Sequence, residues 1–392
     1  YAKAKKCFEE SLSITEKIQG KNTHLYAISL MNLAAVYQCE EHPEEAEKMY
    51  LQATEIEKNV YGEDRIEYAS CLHNLAAAYI ANRKFKEAEK VQLQANRITL
   101  DVFSSQHPFY APMLDHLGLI YFHLKNDVKA YECYKGAGQL AKERYIESVD
   151  YMSERQRQSL WKSQEYSFGT CYTAFAFNTY RKLKDITTFA YDNELFRKGL
   201  LLNSTKMVSR SIMESGDTAL ISNYDKLTKL KELIVKMQET EPNSEYLKQY
   251  QQQAEQLEKQ LTEQSVAFRE NNNLWSVSWD TVRSHLKKKQ TAIEFMTAPV
   301  GEDSLMYCAL LLKHNSKQPL LIPLFEEKEV KPLVHPVVSG VMKTNNTYDA
   351  DLNGLVLTEK IWGKILKEIT DKLSHEDRLV LYEKGLIKSL SL

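Results

Sequence analysis

The residues of this 392-residue sequence with most to offer chemically are its six cysteines and ten histidines. A catalytic cysteine needs a nearby imidazole to hold it as thiolate. Cys308 is the one cysteine of the C-terminal third, and it lies between Tyr307 and Ala309 in an apolar run. The histidines of that third are His285, His314, His335 and His375, and none is followed by glycine. A mid-strand position hides a thiol, so Cys308 reads as a core residue and no residue is assigned a catalytic role. Cys39, Cys71 and Cys171 are isolated, no Cys/His pair has zinc spacing, and there is no phosphate loop, G-x-S-x-G or H-E-x-x-H. Neither a metal nor a cofactor is expected. What does recur is polar: Asn32, Asn74 and His116 stand 42 residues apart, each directly before a leucine.

The elements that position them form a repeat. Tyr26-Ala-Ile-Ser-Leu-Met-Asn-Leu-Ala-Ala-Val-Tyr37 returns as Tyr68-Ala-Ser-Cys-Leu-His-Asn-Leu-Ala-Ala-Ala-Tyr79 and as Tyr110-Ala-Pro-Met-Leu-Asp-His-Leu-Gly-Leu-Ile-Tyr121. Ala46, Ala88 and Ala130 keep the same step, as do Ala53, Ala95 and Ala137. Leu30, Leu33, Ala34 and Tyr37 fall at i, i+3, i+4, i+7, and Ala46, Met49, Tyr50, Ala53, Ile56 and Val60 form a second stripe, so each repeat is two helices. Turn signals separate them at Glu41-His42-Pro43, Asn82-Arg83-Lys84 and Lys125-Asn126-Asp127. Ala34, Ala76 and Gly118, facing Ala46, Ala88 and Ala130, let the paired helices approach closely. Cys7 and Cys133 share one core slot with Met49 and Val91, too far apart to bridge. Ala4 and Phe8 continue the register backwards, so the chain is expected to open inside an earlier repeat and to be part of something longer.

The pattern Leu-x2-Leu-Ala-x2-Tyr, then Ala-x3-Tyr, resembles the tetratricopeptide repeat, with leucine for its tryptophan and Gln92 where an aromatic stands elsewhere. The resemblance covers residues 1–150. It implies a right-handed α-solenoid whose first helices line a concave surface. There Asn32, Asn74 and His116 are implied to meet a peptide backbone, since an amide offers donor and acceptor together. The other reading of the slot is hydrogen bonding between neighbouring repeats, and both stand open.

Residues 151–205 lose the 42-residue step but stay helical, with one long helix expected over 156–180 and 189–202 read as part of a degenerate capping repeat. Residues 206–274 hold a helical hairpin: Leu220, Tyr224, Leu227, Leu230, Ile234 and Met237 on one arm, a break at Glu241-Pro242-Asn243-Ser244, then a heptad seam through Leu247, Tyr250, Ala254, Leu257 and Leu261. From residue 275 the texture changes. Ser278 caps a short helix, strands follow at 291–296, 305–312 and 320–325, then an amphipathic helix at 352–373 and a strand at 378–382. The fold class is therefore mainly α: solenoid, hairpin, then an incomplete α/β domain.

Trp279-Asp-x-Val282, Ala292-Ile-Glu-Phe295, the 307–312 strand and Leu379-Val-Leu-Tyr-Glu-Lys-Gly385, preceded by Leu195-Phe-Arg-Lys-Gly-Leu-Leu-Leu202, resemble the start of a CHAT domain. That family has a caspase-like cysteine protease fold, often behind tetratricopeptide repeats. The resemblance covers residues 195–392 and implies a catalytic His-Gly and Cys pair that is absent here, so they are expected downstream of Leu392.

Composition narrows the partners. Lys+Arg is 51 and Asp+Glu 53, a formal charge of −2, which gives no support to a nucleic-acid binder. The longest clean apolar run, 305–312, is far short of a membrane span. Six cysteines make no disulfide framework, and a cytoplasmic location is expected. Two functions fit: a repeat module that binds a protein or peptide and regulates a caspase-like domain, or a non-catalytic interaction scaffold.

Overall fold

The computed structural model describes residues 2–105, 107–149, 152, 154–241, 244–264, 277–288, 290–301 and 304–329. The chain divides into two compact units, Tyr1–Ala141 and Lys142–Leu392. The expected helix 352–373 and strand 378–382 lie outside the described residues.

The first unit is a run of helices at the 42-residue step: α1 (Ala2–Gln19), α2 (His24–Cys39), α3 (Pro43–Tyr61), α4 (Ile66–Ala81), α5 (Phe85–Val102), α6 (Tyr110–His123) and the start of α7 (Asp127–Val149). The turns inside each repeat share one geometry. Glu41, Arg83 and Lys125 are left-handed, with φ of 62°, 57° and 62°. The amides of His42, Lys84 and Asn126 donate back to the carbonyls of Tyr37, Tyr79 and Tyr121 at 2.9, 2.8 and 2.9 Å. This Schellman closure satisfies carbonyls the helix end would otherwise orphan, and it offsets the strain of a left-handed non-glycine residue. Between α3 and α4, Gly62 at φ 88° supplies the left-handed turn instead.

The core follows the small residues. Ala34, Ala46, Ala76, Ala88 and Ala130 are all fully buried. Ala34, Ala46 and Tyr50 pack with Leu75 and Ala78 of the following repeat. Cys71 and Met113, one period apart, each insert into the cluster of the repeat before them. Gly118 has no room for a side chain: a Cβ there would lie 2.6 Å from the Tyr134 ring. Cys7 departs from expectation. It is exposed, not buried, and α1 has no buried residue, because among the described residues no helix lies on the side where its slot would be covered.

In the second unit the expected single helix over 156–180 is interrupted. α8 (Glu154–Tyr166) passes into a π-helical turn, Ser167–Cys171, and resumes as α9 (Tyr172–Thr179). Gly169, a weak helix former, sits in that turn, and the Thr173 hydroxyl donates to the Gly169 and Thr170 carbonyls at 2.9 and 3.2 Å. α10 (Ile186–Glu214) is long and carries the 189–202 segment within it. The hairpin is α11 (Thr218–Thr240) and α12 (Glu245–Gln264), with Leu227, Leu247, Ala254 and Leu261 buried along its seam. Ser278 caps α13 (Trp279–His285), accepting from the Thr281 amide.

Three strands then form an antiparallel sheet in the order β1 (Thr291–Val300), β2 (Ser304–Lys313), β3 (Leu320–Glu326). β2 is central, and residues 308–312 are buried without alternation, as expected of a strand covered on both faces.

Candidate functional site

The first helices of the repeats carry the recurring polar slot. In α2 the stripe Asn32, Ala35, Cys39 is exposed, at spacings that keep one face of a helix. The Asn32 amide makes no hydrogen bond among the described residues. Asn74 is half-buried, and its Nδ2 donates weakly to Met31 Sδ at 3.7 Å. His116 is half-buried and stacks on His73, ring centroids 4.3 Å apart and 24° from parallel. Asn74 and His116 therefore each lean on the residue 43 positions before them, in the preceding repeat. The three slot residues share a register but not an environment.

Beneath the slot lies a buried polar network that the sequence pattern did not reveal. Gln92 replaces the aromatic of its repeat and is fully buried. Its Oε1 lies 3.0 Å from His73 Nδ1 and its Nε2 donates to Asn96 Oδ1 at 2.7 Å. The polar residue thus serves as the hydrogen-bond partner of a ring that burial keeps neutral: desolvation lowers the pKa of His73, against the opposing Gln92 bond. Desolvation, reinforced by the neighbouring His73, lowers His116 to about 3. Among the described residues, His116 Nδ1 and Asn96 Nδ2 are buried without a partner. The only earlier sign was the departure at Gln92 itself. A second buried group, Glu57, accepts from or shares a proton with His24 Nδ1 at 2.7 Å, and desolvation raises its pKa despite that contact.

Among the described residues, the C-terminal candidates are not assembled into a nucleophilic centre. Cys308 is fully buried in β2, opposite Met296 and Pro323, and burial pushes its thiol up to about 12. His285 is exposed at the end of α13, with Nδ1 2.8 Å from the Thr281 carbonyl, and His314 is exposed in the turn after β2. His335 and His375 lie outside the described residues. Among the described residues no group of His, Cys, Asp and Glu is arranged to hold a metal.

What the second unit does assemble is a set of charged anchors along α10. Lys198 Nζ donates to Glu294 Oε2 at 2.7 Å and to the Phe295 carbonyl at 2.8 Å, tying α10 to β1. Glu194 is almost fully buried against Arg197 at 2.8 Å, and desolvation raises its pKa. Asp192 accepts the Trp279 amide at 2.6 Å, which fixes the start of α13. Lys142 donates to the Asp192 carbonyl at 3.4 Å, and burial lowers it to about 8.

The first repeated helix pairs fall in the region matched by a family model. The tetratricopeptide repeat model matches residues 1–59 and 43–101. The chain carries tetratricopeptide repeats. Among solved structures, BtubC (BKLC) from P. vanneervenii is similar at a TM-score of 0.33 and 23% identity, over 36% of this chain and 56% of that one. A Podosopora anserina protein named for kinesin light chain, with nearly identical TPR-like repeats, is similar at a TM-score of 0.33 and 20% identity, over 47% of this chain and 89% of that one. The chain thus spans little more than half the length of BtubC. Comparison with curated proteins gives no match. Repeats of this kind generally serve protein–protein interaction. No described helix is long and apolar enough to cross a membrane.

Proposed function

We propose that residues 1–150 bind an extended segment of a partner protein along the slot of Asn32, Asn74 and His116. The observation that carries this is the exposed Asn32 amide, unbonded among the described residues, at the head of a series that repeats every 42 residues. Residues 151–205 then serve as a cap and 206–274 as a separate hairpin. Residues 275–392 are the N-terminal part of a CHAT-like, caspase-related domain, so that a partner held by the repeats regulates proteolysis in the longer protein. The order of α10, α13 and the strand pair, joined through Lys198, Asp192 and Glu294, supports that reading of the resemblance. The buried, weakly acidic Cys308 supports placing the nucleophile elsewhere. The alternative is a scaffold in which the repeats recruit partners and no proteolysis follows.

Two experiments separate these readings. Peptides selected by display against the full chain are titrated against the Asn32→Ala, Asn74→Ala double variant. Loss of two backbone hydrogen bonds at about 0.5–1.5 kcal/mol each weakens binding about 5- to 150-fold. Unchanged affinity, or loss of helical content, returns the slot to a structural role. The genomic sequence downstream of residue 392 decides the second point: a His-Gly strand end followed by a cysteine after a buried strand supports the protease, and an early stop codon supports the scaffold.

A further inference from the structure

The first helices of the repeats differ from the second in charge. α2, α4 and α6 hold only two residues among Asp, Glu, Lys and Arg, namely Glu67 and Asp115, whereas α3 and α5 hold thirteen. Neither of the two belongs to the stripe of the slot. Glu67 acts electrostatically on the buried Glu57 of α3, and Asp115 on Cys133 of α7. The stripe itself runs Asn32, Ala35, Cys39 in α2, and its equivalents 42 and 84 residues on carry no charge either. Its far corners, Cys39, Ala81 and His123, are all exposed. At the rim of the stripe, desolvation and then the charges of Lys125 and Arg83 lower the pKa of His123. Inside the stripe the hydrogen-bonding groups are the Asn32 and Asn74 amides and the neutral His116 imidazole, whose Nδ1 is buried and has no partner among the described residues.

We infer that the occupant of this face is an extended protein segment without charged side chains. The inference rests on the proposed slot and names its ligand class. A carboxylate or ammonium seated on the stripe loses hydration and finds no opposite charge to replace it. An uncharged backbone loses little and can use the Asn32 amide as donor and acceptor. The same logic predicts binding that salt does not screen, in contrast to recognition by lysine and arginine clamps.

The test is a peptide array of three matched sets, neutral, acidic and basic, bound to the full chain at about 50 and about 500 mM NaCl. The neutral set is expected to hold the tightest binders, with affinity changing less than about twofold between the two salts. Ala35→Glu and Ala81→Glu, at exposed positions, are expected to weaken the neutral binders by about tenfold, and Ala35→Gln by much less, which separates charge from bulk. Tightest binding by acidic or basic peptides that fades with salt overturns this inference while leaving the slot in place. Absence of any binder, or binding indifferent to both the asparagine and the alanine variants, removes the slot together with it.

Discussion

Gly118→Ala is a sharp probe of how closely the helices of the third repeat approach. The added Cβ would meet Cδ1 and Cε1 of Tyr134 at 2.6 Å and Cγ at 3.0 Å. Comfortable carbon contacts lie at about 3.5–4 Å, so the ring must retreat by about 1 Å. Tyr134 is 1% exposed and has nowhere vacant to go. Overpacking of this kind costs about 1–3 kcal/mol, and the fully buried ring puts the cost near the upper end. Alanine returns about 1 kcal/mol through helix propensity. The net loss is then about 2 kcal/mol, or about 6 °C in Tm for a unit of this size. Urea denaturation followed by circular dichroism measures it. The equivalent slot in the first repeat holds Ala34 in one cluster with Tyr50, so the fold accepts a methyl at that slot and the variant should still fold. The decisive comparison is the same substitution in a Tyr134→Ala background. With the ring gone, Gly118→Ala should stabilise by about 1 kcal/mol, giving a coupling of about 3 kcal/mol. An equal effect in both backgrounds, or stabilisation of the parent chain, refutes the close-approach argument.

Gln92→Leu should destabilise the repeats by about 1–3 kcal/mol, read from the urea midpoint, because it strips hydrogen-bond partners from His73 and Asn96 in a dry site. His116 sets a pH dependence: its folded pKa of about 3 lies below its ordinary value of 6.5, so the unfolded chain binds the proton more readily. Stability is therefore present above pH 6.5 and lost as pH falls toward 3, and His116→Asn should flatten that part of the Tm–pH curve. The raised carboxyl of Glu57 contributes with the opposite sign, so the comparison is between variant and parent at each pH.

Much of the repeat architecture was legible residue by residue. Leu30, Leu33, Ala34 and Tyr37 lie on one face at helical spacing, and a pattern held three times at 42 residues leaves one way to stack. The strands around Cys308 were legible for a similar reason, since a continuous apolar run has no solvent face to offer. The left-handed turns at Glu41, Arg83 and Lys125 were not, because no glycine marks them and the Schellman bonds that stabilise them are made by backbone. The interruption at 167–171 was missed because Leu160, Trp161, Tyr166, Cys171, Phe175 and Phe177 are spread along the segment and mark no single stripe against which a π turn's shift of phase would show.

The sequence by itself determined the helix pairs, the register of the small residues and the step of Asn32, Asn74 and His116, because local periodicity and side-chain volume encode them. Only the tertiary structure decided what surrounds each slot. It exposed Cys7 and Asn32, set Asn74 against Met31, stacked His116 on His73 and buried Gln92 as their support. These outcomes depend on which neighbour in the next repeat covers a position, and a single helical face carries no record of its neighbour.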